Sequence, residues 1–130
     1  MKHRVLLVDD GTDITELLSY NFRAAGYEVL TASDGMLAVS TAQRWLPEAI
    51  VLDVNLPGLD GFAVCEMLRL LPSTRAIPIL MLTAWASNNS RKVGEQLGAN
   101  DYFTKPFSPR DVVARVGELV KTNAPSHASA

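Results

Sequence analysis

The sequence predicts an α/β fold: a doubly wound (βα)5 three-layer sandwich around a five-stranded parallel sheet. Three observations predict it. Short apolar runs rich in Val, Ile and Leu alternate with longer segments of helical period. The main runs are apolar at consecutive rather than alternate positions, so helices cover both faces of the sheet. Strand–helix alternation along the whole chain means parallel strands joined by right-handed crossovers.

Val5 to Val8 is the first strand. Helix one runs from about Asp13 to Ala25, with Ile14, Leu17, Leu18 and Phe22 at 3.6 spacing. Thr12 is placed to cap it and Gly26 to stop it. The run YEVLTA is strand two. Ser33 or Asp34 caps helix two, which carries Leu37, Ala38, Ala42 and Trp45 and ends before Pro47. AIVLD, ending in Asp53, is strand three. Helix three lies near Gly61 to Leu71 with Phe62, Val64, Cys65 and Leu68 inward. PILMLT, ending in Thr83, is strand four. A weaker helix four lies near Asn89 to Leu97 and stops at Gly98; its start, SNNSRK, is poor in helix formers and suits a segment that shifts easily. DYF is a short strand five. Helix five starts cleanly, with Ser108 as cap, Pro109 at the first helical position and Asp111 in the first turn.

Composition narrows the class. A length of 130 residues fits one domain with a core of its own. We read residues 1–121 as that domain and 122–130, small and polar, as a tail or the start of a linker. A net charge of −2 gives no whole-molecule argument for nucleic acid or an anionic membrane. The apolar run after Arg4 is too short for a secretion signal, and no stretch reaches membrane-spanning length. The single cysteine, Cys65, excludes an internal disulfide and agrees with a reducing compartment, so a cytoplasmic location is expected.

Chemistry-bearing residues gather at the carboxyl ends of the strands, where doubly wound sheets bind ligands. Asp9 and Asp10 follow strand one, Asp53 ends strand three, Thr83 ends strand four, and Lys105 and Pro106 come just past strand five. Two adjacent carboxylates at ~5 Å repel by roughly 3 kcal/mol at an effective dielectric near 20, a cost that a bound cation would offset. Singly, each position has a plain structural reading; jointly, three carboxylates favour a hard divalent cation, Mg2+ before Ca2+ or Mn2+. A lysine and a threonine opposite the metal suit phosphoryl oxygens. No serine or cysteine nucleophile has a histidine neighbour, and His3 and His127 read as surface residues. The nucleophile left is a carboxylate, which can form an aspartyl-phosphate.

The ordered set LLVDD, IVLDVNLPGLDGF, PILMLTA and GANDYFTKPFSPRD resembles the response-regulator receiver domain of two-component signalling, a flavodoxin-like fold. Thr83 and Lys105 lie 30 and 52 residues after Asp53, like the family's usual separations. The resemblance covers nearly all of residues 3–121 and implies specific roles. Asp53 would be the phosphoacceptor, taking a phosphoryl group from a sensor histidine kinase or phosphotransfer protein. Asp10, Asp53 and the backbone carbonyl of Asn55 would ligate Mg2+, with Asp9 acting mainly through water. Thr83, the backbone amide of Ala84 and Lys105 would hold the phosphoryl oxygens, with a cis peptide before Pro106. Thr83 and Tyr102 would form a switch that alters the face made by helix four, strand five and helix five. Bare packing would leave Tyr102 half-buried with its hydroxyl at the surface.

GANDYFTKPFSPRDVVARV is close to receivers of the winged-helix transcription-factor class, which dimerise through that face with charges such as Asp101 and Arg115. A phosphorylation-dependent homodimer is therefore an expectation. Four positions depart from the pattern or tune it. Gly11 stands where relatives often carry a third acid, Asn55 and Trp85 border the phosphoryl group and should set its lifetime, and Glu95 stands where that dimer face is usually apolar. The stretch GELVKTNAP also lacks a basic run, so we expect a stand-alone or excised receiver without its own DNA-binding domain. The expected module is no turnover enzyme, with self-phosphorylation from phosphodonors and slow autodephosphorylation as its only chemistry. Binding of nucleic acid or membrane by this domain is not expected. The alternative is a Mg2+-dependent aspartyl-phosphate hydrolase or phosphotransferase, disfavoured because Asn55 replaces a second acid and no length remains for a cap domain. A flavin carrier is disfavoured because Asp9 and Asp10 would repel a phosphate after strand one.

Overall fold

The structure, a computed structural model, describes residues 3–84 and 88–123. Its elements alternate throughout: β1 (Arg4–Val8), α1 (Thr12–Ala24), β2 (Glu28–Ala32), α2 (Gly35–Trp45), β3 (Ala49–Asp53), α3 (Gly61–Leu70), β4 (Ile79–Thr83), α4 (Asn88–Gln96), β5 (Asp101–Thr104) and α5 (Pro109–Asn123). The strands form one parallel sheet in the order β2-β1-β3-β4-β5. Strand order reverses between β1 and β3, which opens a crevice beyond their carboxyl ends.

The two-faced burial read from the sequence holds for the central strands. β3 and β4 are buried at every position and β1 at all but Arg4. Alternate residues along a strand point to opposite layers. Leu6, Val8, Ile50, Leu52, Ile79 and Met81 meet α2 and α3 through Ala38, Val39, Ala42, Val64, Cys65 and Leu68. Val5, Leu7, Val51, Leu80 and Leu82 meet α1 and α5 through Leu18, Phe22, Val112, Val116, Leu119 and Val120. At about 1.5–3 kcal/mol per fully buried large apolar side chain, these two layers dominate the favourable side of folding. The edge strand β2 exposes Glu28, Leu30 and Thr31.

Several local expectations need correction. Thr12 does not cap α1. Gly11 is the N-cap residue, with extended backbone, and its carbonyl accepts from Thr15 N. Asp9 Oδ1 accepts from Gly11 N at 2.7 Å, which bends the chain into the helix one residue early. Leu17 and Leu37 are exposed at 46% and 41%, because the buried stripes run through Leu18 and Phe22 on α1 and through Ala38 and Ala42 on α2. Asp34, not Ser33, caps α2 by accepting from Leu37 N at 2.8 Å. Helix α5 continues to Asn123, so Thr122 and Asn123 are helical; residues 124–130 lie outside the described residues. Helix α4 turns buried Gly94, rather than a large apolar side chain, towards Met81 and Tyr102.

Candidate functional site

Three strand ends and one loop build the site. The Asp9 backbone continues the β1 ladder by donating to Ala32 O, so its carboxylate is delivered at the sheet's edge and is buried, while Asp10 is exposed. Asp53 closes β3 and is 3% exposed. Carboxylate oxygens of Asp9, Asp10 and Asp53 all lie within 4.8 Å of one another. Lys105 Nζ sits 3.2 Å from both Asp9 Oδ2 and Asp53 Oδ2. Its own backbone is tied in, donating to Thr83 O at 2.6 Å, and the Lys105–Pro106 peptide is cis.

The charges strain against each other. Burial first, and then the neighbouring Asp9 charge, push the Asp53 carboxyl above its ordinary value; the Asn55 amide at 3.2 Å and Lys105 pull the other way and do not fully compensate. Burial alone would lower Lys105, but the charges and hydrogen bonds of Asp53 and Asp9 outweigh it and hold the ammonium above its usual value. A single ammonium between three carboxylates leaves the cluster net negative. An all-oxygen donor set of this charge and spacing fits a hard divalent cation.

The remaining expected residues fall around this cluster. Asp53 pairs in register with Leu82, so buried Thr83 extends one residue further on the adjacent strand, followed by exposed Ala84. Asn55 is exposed at the start of the β3–α3 loop. Pro106 is exposed. Trp85 lies outside the described residues. Tyr102 is not half-buried with a surface hydroxyl. It is 2% exposed, and its buried hydroxyl has no hydrogen-bond partner among the described residues. Glu95 is exposed on α4. Asp101 and Arg115 pair within one chain, Nε to Oδ2 at 2.6 Å.

Sequence reasoning overlooked Arg91. Its guanidinium lies 5.3 Å from the Tyr102 ring centroid, donates to Tyr102 O at 3.0 Å and stands 4.0 Å from Asp101 Oδ1. No local signal marks a surface arginine as the cover of a ring on another element.

Comparison with known proteins agrees with this geometry. The family model for the response regulator receiver domain matches residues 5–117. The alkaline phosphatase synthesis transcriptional regulatory protein PhoP of Bacillus subtilis is 49% identical over 121 residues, covering 93% of this chain and 50% of that protein. The DNA-binding dual master transcriptional regulator RpaA of Synechocystis is 42% identical over 118 residues, covering 91% and 49%. The chain thus spans about half the length of the curated relatives it matches. Among solved structures, the chemotaxis response regulator CheY4 of Vibrio cholerae superposes with TM-score 0.86 at 34% identity, covering 92% of this chain and 99% of that one. The receiver domain of a Pseudomonas aeruginosa sensor histidine kinase, with magnesium coordinated in its active-site cleft, gives 0.85 at 32%, covering 93% and 99%. Sheet order, strand-end acids and these matches converge: the chain belongs to the response regulator receiver domain family of two-component signalling.

Proposed function

We propose that this receiver accepts a phosphoryl group on Asp53 from a sensor histidine kinase or phosphotransfer protein. The observation that carries the reading is the Lys105 ammonium 3.2 Å from both Asp9 and Asp53 within a three-carboxylate cluster. An Asp53 carboxylate oxygen forms the new O–P bond as the donor's P–N bond breaks. Lys105, the Thr83 hydroxyl and the Ala84 amide hold the phosphoryl oxygens. Asp10, Asp53 and the Asn55 carbonyl hold Mg2+, with Asp9 reaching it through water; the ion supplies charge neutralisation to the phosphoryl group when bound. Asn55 and Trp85 set how fast water removes the group.

The signal then passes along β4 and β5. New charge and acceptors at Asp53 draw the Thr83 hydroxyl. The Tyr102 ring and α4 respond, which alters the α4–β5–α5 face for a downstream partner or an attached output. Dimerisation through that face would exchange the intrachain Asp101–Arg115 pair for an interchain one. The chemistry is stoichiometric self-phosphorylation and slow autodephosphorylation, not turnover of a phosphate ester. A cytoplasmic location goes with this reading: Cys65 is buried and free, as suits a reducing compartment. No described helix is long and apolar enough to cross a membrane.

Intact mass after incubation with acetyl phosphate and Mg2+ tests the proposal. One phosphoryl adduct is expected on the wild type, lost with EDTA and absent from Asp53→Asn. An adduct that persists in Asp53→Asn would overturn the assignment of the acceptor.

A further inference from the structure

We propose that Gly35 is a positioning residue for the metal site. Because it lacks a side chain, the start of α2 can press against the backbone at Leu59 and fix the β3–α3 loop that carries Asn55. This rests on the reading that the Asn55 carbonyl is a Mg2+ ligand.

The β3–α3 loop, residues 54–60, is gripped from two sides. A Cβ on Gly35 would overlap the Leu59 carbonyl oxygen, with Leu59 Cβ at 2.8 Å and Val64 Cγ2 at 2.9 Å. On the other side, a Cβ on Gly61 would overlap the Asp53 carbonyl oxygen and lie 2.7 Å from Val54 Cα. Gly35 is not among the glycines with positive φ, so close approach, not backbone freedom, is what this position demands. The obstacle is a main-chain carbonyl, which has no rotamer to escape into.

Both jaws are themselves held. Asp34 caps α2 through Leu37 N, and Asp60 caps α3 by accepting from Ala63 N at 2.9 Å. Inside the loop, Gly61 N donates to Val54 O at 2.8 Å and Asn55 N to Asp53 Oδ1 at 3.2 Å. Leu56 and Leu59 pack against the α2/α3 core layer. A loop anchored at so many points has few ways to absorb a push at Leu59 except by moving as a unit, Asn55 included. Relieving a Cβ at position 35 needs the Leu59 carbonyl to recede by about 1 Å. Mg2+ demands near-ideal octahedral geometry, whereas Ca2+ tolerates irregular ligands at longer distances. A displaced carbonyl therefore weakens Mg2+ binding more than Ca2+ binding.

The test uses the full chain without phosphodonor. Calorimetric titration of Gly35→Ala with Mg2+ and with Ca2+ is compared with the wild type, and hydrogen exchange is followed at the Asn55 and Gly61 amides in metal-free protein. The expected result is a roughly tenfold or greater rise in the Mg2+ dissociation constant, a change below about threefold for Ca2+, and faster exchange at both amides. Val116→Ala, a cavity in the opposite α1/α5 layer, is expected to lower the melting temperature and leave the Mg2+ constant within about twofold. A folded Gly35→Ala protein with wild-type Mg2+ affinity overturns the proposal, as does an equal loss for both ions. If Gly35→Ala does not fold, Leu59→Ala loosens the same contact without a clash; about threefold to tenfold weaker Mg2+ binding is expected, and unchanged affinity overturns the proposal. A wild type that binds no Mg2+ would refute the ligand assignment of Asn55. Amide exchange in the variants would still decide whether α2 clamps the loop.

Discussion

Asp53 is ionised at a cost that its surroundings only partly offset. Its pKa is raised by burial and by Asp9, so the fold binds a proton there more tightly than the unfolded chain does. The destabilisation is fully present above the folded pKa and disappears as pH falls below the ordinary carboxylate range. Asp53→Asn leaves Lys105 with Asp9 as partner. In metal-free buffer at neutral pH it is expected to raise the melting temperature. Thermal scans on both proteins should show that gain fading towards acid pH. Tyr102 offers a second test, since its hydroxyl is buried without a partner among the described residues. Tyr102→Phe is expected to stabilise by about 1 kcal/mol in urea unfolding. The acids, Thr83 and Lys105 were legible in the sequence because each ends a strand or immediately follows one. The depth of Tyr102 was not, because it depends on Gly94 and Arg91, two unremarkable positions on a different element.

Elements that pack through an apolar stripe were readable to within a residue or two. Helix ends were harder, because Gly11 and Thr12 compete for one cap and a side-chain bond from Asp9 decides between them. Helix α4 has little apolar anchorage of its own: Val93 is 40% exposed and Gly94 makes the inward contact. Its far end is instead secured by Arg69 of α3. That guanidinium donates to Gly98 O through Nε and Nη2, to Ile77 O at 2.6 Å, to Arg75 O and to Asn100 Oδ1. Periodicity cannot show such a clamp, since its partners are mostly backbone carbonyls on distant turns. Arg69→Ala strips several carbonyls at once and is expected to cost about 2–4 kcal/mol in chemical denaturation, with faster amide exchange in the last turn of α4. Lysine should rescue poorly, because a point charge cannot reproduce the fork.

For the molecule as a whole, the strand order sets where chemistry can happen. Reversal between β1 and β3 opens the crevice into which Asp9, Asp10 and Asp53 project, so fold and site were legible together. Binding of a cation there stabilises the folded chain alone. Folding stability is therefore expected to climb with the logarithm of Mg2+ concentration, by about 2.7 kcal/mol at a hundredfold excess over the dissociation constant, and the melting temperature to rise with it. Asp10→Asn, which alters an exposed residue, should remove most of that slope while changing metal-free stability little. The layering has a further result for synthesis. Val5 and Leu7 share their layer with two helices, α1 close behind them in the chain and α5, which starts only at Pro109. At about 5–20 residues per second a ribosome leaves that greasy face half covered for several seconds. A chain stopped before Val112 lacks the buried face of α5 and is expected to aggregate instead of yielding a shorter soluble product.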